Sequence, residues 1–439
     1  MDAQLRQSLL ASVASHRLVL LTGAGLSMSP PSKLLPAWQI AEMCYETYVS
    51  RIGPLPVEIR HNLESVAEAI KNSVDFGSVF IKSVVPWKKF VAPPNAGHEA
   101  AADMLLTGAA VAYLTANYDM LVERVAEGWG ADLQTALAGD EATAMSAVQS
   151  PFLKFHGCMT KDRERTVWTG SQFETDDVLA ARKASNIQWM EANLQHKDLL
   201  IIGFWTDWSY LNSAFEHAIT NLHPASITII DPIPTDQLKE KAPGLWALAN
   251  QGNVIFTHVR EYGHTFLGEL RHEIGLAFFR QFLHGGAELF KAYKNLEAVP
   301  AHLTDAPDLK NDDLYSWRRD AEGKTVREPS CRHVPDDSYR TVALAHLLLR
   351  DAGATVDQMW YDVGGKKIRV VNGNGQLLAG VKETFSDGPA VVEPDIVICV
   401  GALDLVVPTS IVRNDPETIV RPGSKAVWMT LEQAISELI

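Results

Sequence analysis

The chain reads as an α/β protein: a Rossmann-like parallel sheet with a helical insertion, followed by a smaller C-terminal α/β or α+β domain. Three observations predict this. Short, mainly apolar runs recur at 17–22, 110–115, 152–155, within 198–207 and at 227–230, the signature of strands buried on both faces. Helical periodicity fills the intervals between them, as parallel strands require for their crossovers. A polar, charged stretch then separates residues 1–290 from a second set of strands and helices at 337–439, and residues 291–336 read as a linker.

At 439 residues with 46% hydrophobic content, the chain has enough apolar material for two or more domains. The N-terminus spaces Leu5, Leu9, Leu10 and Val13 as an amphipathic helix, so no signal leader is expected. No apolar run is long enough to cross a membrane. The four cysteines, Cys44, Cys158, Cys331 and Cys399, lie far apart and suit a reducing cytoplasm. A formal net charge of −14 argues against the chain gripping nucleic acid by itself.

The first strand runs into TGAGLS at 22–27. Gly23 and Gly25 permit a sharp turn, so that amide N–H groups around Ala24 point at a pyrophosphate, with the Ser27 hydroxyl as a further donor. The competing reading is a plain strand-to-helix turn. Met28 stands where the dinucleotide fingerprint of dehydrogenases needs a third glycine, which argues against hydride transfer. After the second strand comes TANYD at 115–119, placing Asn117 and Asp119 where ligands bind in an open parallel sheet. The third strand ends in FHG at 155–157, which presents His156. Each motif alone is common: a lone histidine is more often structural, and an Asn-Tyr-Asp more often a turn or a helix cap. Their order, converging on one crevice, carries the argument.

With these motifs in this order, residues 1–285 resemble the sirtuin superfamily. The likeness includes PNAGHEAAADML at 94–105, DLLIIGFWTD at 198–207 and SITIIDP at 226–232. It implies that the late strand ends, with Gly203 and Asp231, close around the ribose and adenine of NAD. Asp231 reads equally as a turn residue before Pro232. The scattered cysteines give no pattern for the structural zinc of sirtuin deacylases, and no metal is expected. The family's Pro-Asp-Phe-Arg segment is replaced by MSPPSKLLPAW, and its Gly-Thr-Ser by Gly203-Phe204-Trp205. Trp205 and Trp208 are expected to crowd the cleft that takes an acyl-lysine strand. These departures resemble the bacterial defence-associated branch, whose members hydrolyse NAD.

Breaking the nicotinamide–ribose bond expels a neutral base from a cationic pyridinium, so no acid need protonate the leaving group. Catalysis then rests on holding the ribose, placing a nucleophile and removing a proton. His156, with an unperturbed pKa near 6.5, is the candidate base. Asn117 orients water or the ribose hydroxyls. Asp119 supports the ribose or caps the following helix, and His98 packs or caps. The expected activity is NAD hydrolysis to nicotinamide and ADP-ribose. NAD-dependent deacylation, ADP-ribosyl transfer and a silent nucleotide-binding sensor or scaffold stand as alternatives.

Residues 37–93 read as helices packed over the cleft, 158–196 as further helices around the ligand, and 263–296 as a closing helix. In the C-terminal module a helix at 338–354 precedes strands near 358–361, 367–371, 377–381 and 395–400. Pro394-Asp395 suggests a metal-nuclease start, but no Glu-x-Lys follows, so an interaction or oligomerisation role is the better reading. The resemblance implies a homo-oligomer or a defence partner, such as a HerA-type ATPase or an Argonaute protein.

Overall fold

The computed structural model describes residues 1–146, 149–204, 224–243, 246–247, 254–304, 308–322, 332–385, 394–404 and 425–439. Contacts divide the chain into two compact units. One contains Met1–Glu127 and Asp132–Leu270, the other Gly128–Ala131 and Arg271–Ile439.

The first unit is built on six parallel strands: β1 (Leu18–Thr22), β2 (Ala112–Thr115), β3 (Phe152–Lys154), β4 (Asp198–Ile202), β5 (Ser226–Ile230) and β6 (Ile255–Val259). Their order is β3-β2-β1-β4-β5-β6, so the direction of winding reverses between β1 and β4. β1 and β4 are buried at every position, as expected for strands covered on both faces. Helices α1 (Ala3–Ala14), α2 (Ala24–Ser27), α3 (Ala37–Arg51), α4 (Leu63–Lys71), α5 (Ala96–Thr107), α6 (Leu121–Gly128), α7 (Gly139–Met145), α8 (Gln172–Thr175), α9 (Asp177–Asn193) and α10 (Thr235–Lys241) complete the layers. The insertion expected at 37–93 holds α3, α4 and a π-helix, Phe76–Val84.

The long helix α11 (Gly263–Lys294) passes from the first unit into the second. There it is followed by α12 (Asn311–Glu322), α13 (Arg340–Asp351), α14 (Leu378–Thr384) and α15 (Leu431–Glu437). The second sheet has the order β11-β10-β9-β8-β7, from β7 (Thr355–Asp357), β8 (Trp360–Val363), β9 (Lys366–Asn372), β10 (Ile396–Val400) and β11 (Val427–Thr430). β7, β8 and β9 are antiparallel, whereas β9, β10 and β11 are parallel. Side chains alternate along β10. Ile396, Ile398 and Val400 join a core with Phe279, Trp317 and Leu348, while Val397 and Cys399 join a smaller one with Val381 on the other side.

Three sequence expectations differ from the structure here. The segment read as a linker at 291–336 contains α12, whose Leu314, Trp317 and Ala321 enter the core of the second unit. Its charged residues hid this period because several are themselves buried, as in the Arg369–Asp320 ion pair. Residues 271–290, expected to close the first domain, likewise belong to the second unit, with Phe279 and Phe282 in its core. The run at 377–381, read as a strand, begins α14. Its apolar residues are too few to separate a period of two from one of 3.6. Asp395 is exposed and accepts the Lys367 amide at 2.9 Å, a cap between strands, while Lys382 and Glu383 lie on α14.

Candidate active site

The carboxyl ends of β1, β2 and β3 bring together five of the nine predicted site residues. Ala24, Ser27, Asn117, Asp119 and His156 line one cleft, open to solvent on one side. The insertion, with the segment leading into it, supplies a further wall through Leu34, Leu35, Ile40, Leu63, Lys89 and Phe90, and Tyr118 and Trp168 line the side next to His156.

The Asn117 turn is held by threonines at the strand ends. Thr22 Oγ1 donates to Thr115 Oγ1 at 3.0 Å, Thr115 Oγ1 meets the Thr22 carbonyl at 3.1 Å, and the Asn117 amide donates to Thr115 Oγ1 at 3.2 Å. The Asn117 side chain then donates back across the sheet, to the Gly23 carbonyl at 3.1 Å and to Ser27 Oγ at 3.2 Å.

Ser27 is the hub of this network. Its hydroxyl donates to Asp119 Oδ2 at 3.0 Å and meets His98 Nε2 at 3.0 Å. The Asn95 amide donates to His98 Nδ1 at 3.1 Å, so Nδ1 is the acceptor and Nε2 carries the proton. His98 therefore donates to Ser27 and does not serve as its base. Burial pushes the His98 pKa down to about 4, the nearby Lys154 charge adding to the effect and Asp119 opposing it. The neutral tautomer fits both facts. The capping role expected for His98 is present, in a capping box with Asn95. Its bond to Ser27 was not visible in sequence, because 71 positions separate the two residues. Asp119 likewise does two things: Oδ1 caps α6 by accepting the Leu121 amide at 3.2 Å, while Oδ2 holds Ser27.

His156 follows β3 and is buried, in offset contact with Tyr118 at 6.2 Å between ring centroids. Tyr118 stacks on Trp168 at 4.5 Å and donates its hydroxyl to the Val167 carbonyl. The Val167 amide donates to the His156 carbonyl at 2.8 Å, which ties the loops together. Gly157 takes φ +97° with Thr166 Cα only 3.1 Å from where a Cβ would stand, so the Gly of the His-Gly pair is a backbone requirement. Burial alone takes the His156 pKa down to about 3. His156 is thus not a base poised near 6.5: buried as it is, it is neutral at pH 7 and a weak base.

The glycines are also corrected. The amides of Gly23 and Gly25 donate to the Ile202 and Gly203 carbonyls, both at 3.1 Å, and do not point at a ligand. A Cβ on Gly25 would stand 2.6 Å from Gly203 Cα, so these residues are glycine because the backbones after β1 and β4 cross in contact. None of the three lines the cleft. Asp231 accepts the Ile233 amide at 2.9 Å, the turn alternative, and does not line the cleft either. Trp205, Trp208 and Cys331 lie outside the described residues. Among the described residues no group of three or more His, Cys, Asp or Glu is placed to hold a metal, and no helix is long and apolar enough to cross a membrane.

Fold and site together define a parallel-sheet α/β protein with a Ser–Asn–Asp–His network where its first three strands end. A family model for the SIR2-like domain matches residues 111–251, which contain Asn117, Asp119 and His156. Over that stretch, about a third of the chain, the protein is similar to the SIR2-like domain. Among solved structures, a Sir2 homologue in complex with NAD is similar at 17% identity, over 62% of this chain and 94% of its own, with a TM-score of 0.33. A second, described for the mechanism and regulation of Sir2 enzymes, is similar at 16% identity, over 62% and 97%, with a TM-score of 0.33. A third, described for sirtuin substrate affinity, is similar at 13% identity, over 63% and 99%, with a TM-score of 0.34. At these scores the overlays transfer no residue role. No curated protein matches the chain significantly.

Proposed function

We propose that this protein is an NAD+ glycohydrolase that cleaves the nicotinamide–ribose bond to give nicotinamide and ADP-ribose. The observation that carries the reading is the convergence of Ser27, Asn117, Asp119 and His156 on one cleft at the ends of β1, β2 and β3. The Asp119 carboxylate supplies negative charge beside an otherwise mainly apolar wall, which suits a cationic pyridinium and the oxocarbenium character that follows. Asn117, held by Thr115, orients the ribose or the attacking water. His156 accepts the proton that water releases once charge has moved off the leaving group. The stacked Tyr118 and Trp168 wall the cleft beside His156, which favours a flat ring and water over a long acyl-lysine chain.

The test is release of nicotinamide and ADP-ribose from NAD by the purified protein, with His156→Ala in parallel. A general base contributes about 10²- to 10⁴-fold, so the variant should lose at least about a hundredfold in turnover. Undiminished turnover in His156→Ala would refute the assignment. Nicotinamide release with ADP-ribose bound to protein would point to ADP-ribosyl transfer. By its resemblance to the defence-associated branch, we propose that the reaction depletes NAD during phage infection, with the second unit as an interaction or regulatory module. Phage challenge of cells carrying wild type or His156→Ala checks this, since equal survival and equal NAD levels would exclude it.

A further inference from the structure

Beneath the cleft lies a charged pair that the reading above does not use. Lys154, the last residue of β3, is buried to 1% side-chain exposure, and its Nζ stands 2.6 Å from Glu123 Oε1 on α6. The ammonium also donates to the main-chain carbonyl of Asp119. Its remaining surroundings are soft: Met120 Sδ lies at 3.7 Å, and the Phe152 ring centroid at 5.4 Å. Glu123 is held in turn by Thr135 Oγ1 at 2.9 Å. Burial opposes the charge on Lys154, but Glu123, Cys158 and Asp119 outweigh it and hold the pKa above the ordinary lysine value.

A buried ion pair is weak evidence for stability, because desolvation offsets much of the attraction and an apolar pair of similar volume often folds as well. The third bond is what sets this pair apart. The carbonyl it holds belongs to the residue whose side chain grips Ser27, two positions after Asn117. Nothing else described bonds this carbonyl: the α6 cap uses the Asp119 side chain, and the Met159 amide takes the Tyr118 carbonyl at 3.0 Å. Removing the ammonium frees the turn between β2 and α6 at its centre.

We propose that Lys154 is a positioning residue for the reaction, with Glu123 as the counter-ion that keeps it charged: it fixes the Asn117–Asp119 turn against the cleft from below. The proposal rests on the glycohydrolase reading for its kinetic consequence, though not for its structural one.

The experiment compares wild type, Glu123→Gln and the double variant Lys154→Met with Glu123→Met. The double variant removes both charges together, so no lone buried charge is left to unfold the protein. Two measurements are made. The first is amide hydrogen exchange of the 116–121 segment, which is independent of activity. The double variant should exchange there about tenfold or more faster while the buried α5 stays protected. Glu123→Gln, which removes the counter-ion but leaves the Lys154 amine within reach of the carbonyl, should raise exchange there by less than the double variant does. The second is steady-state hydrolysis, where the double variant should lose about 10²-fold in kcat with KM little changed, the penalty of a small misplacement of catalytic groups. Unchanged exchange at 116–121 in a folded double variant overturns the proposal, whatever the activity. A wild type that binds NAD without turnover sinks the glycohydrolase reading and leaves the exchange result to decide for Lys154. If the double variant does not fold, Lys154→Met with Glu123→Gln, which likewise leaves no lone charge, takes its place in the same exchange measurement, with the same outcome overturning the proposal.

Discussion

Acid should dismantle the first unit from within its site, because two histidines are buried neutral there. Burial pushes His98 down to about 4 and His156 down to about 3. In the unfolded chain both titrate near about 6.5. Above that pH neither state carries the extra proton, so these groups add no pH dependence. Below it the unfolded chain takes up protons that the folded chain refuses until about pH 4 and about pH 3. Stability is therefore full above about 6.5 and falls as pH drops, with a limiting slope of about 1.4 kcal/mol per pH unit for each histidine. Between pH 7 and pH 5 this integrates to about 1.9 kcal/mol per histidine, or about 4 kcal/mol for the pair. The assay is urea-dependent hydrogen exchange of α5, which reports the first unit alone, at pH 7, 6 and 5 after correction for intrinsic exchange rates. His98→Gln isolates one contribution: its loss between pH 7 and pH 5 should be smaller than that of wild type by about 1.9 kcal/mol. Equal losses in wild type and variant would show that His98 is solvated or charged, and would undo the tautomer assigned to the Ser27 network.

Three further outcomes are expected. Gly25→Ala should destabilise the first unit by about 1–3 kcal/mol or more, since its Cβ meets backbone that cannot rotate away; an unchanged melting temperature would contradict the crossing of β1 and β4. Asp231→Ala should leave NAD affinity unchanged while costing about 1 kcal/mol of stability through the lost turn bond, and weakened NAD binding in a titration would return Asp231 to the site. The pH profile of kcat/KM, which reports the free enzyme, should run level from pH 8 to about 5.5 with no acid limb near 6.5; a limb there would mean that His156 titrates in contact with water.

The strands and the order of the motifs were legible because apolar runs and strand-end residues are local signals. Leu18 to Leu21 are buried without exception, and Asn117, Asp119 and His156 each lie within a few residues of a strand end. What sequence could not supply were pairings between distant positions. Ser27 with His98, Lys154 with Glu123, and Gly25 with Gly203 each join elements that meet only when the sheet assembles. The glycine loop shows the consequence: the backbone that Gly25 meets follows a strand far along the chain, and no local signal names it. Trp168 was legible only as one aromatic of the 158–196 stretch read as surrounding the ligand. It was placed by the stack on Tyr118. In α12 the apolar period was present at Leu314, Trp317 and Ala321, yet buried arginines and aspartates between them made the segment read as solvent-facing.

The low basicity of His156 bears on how such a site would work. A histidine with a pKa of about 3 is a poor proton acceptor at neutral pH, which would be a defect in an enzyme that had to deprotonate a reluctant nucleophile before bond cleavage. Release of nicotinamide from a pyridinium makes no such demand. The leaving group departs neutral, and water becomes acidic only as it bonds to the cationic sugar carbon. Proton removal is then late and steep, and a weak base suffices provided it is already in place. The rest of the network follows the same logic. Ser27 accepts from His98 and Asn117 and donates to Asp119, so its hydrogen-bonding capacity is filled before any ligand arrives. No group in it must change protonation for the ribose to be held. On the proposed reaction such a site relies on fixed geometry around a charge that the substrate itself brings, so turnover should be as sensitive to the support of the Asn117–Asp119 turn as to the presence of His156.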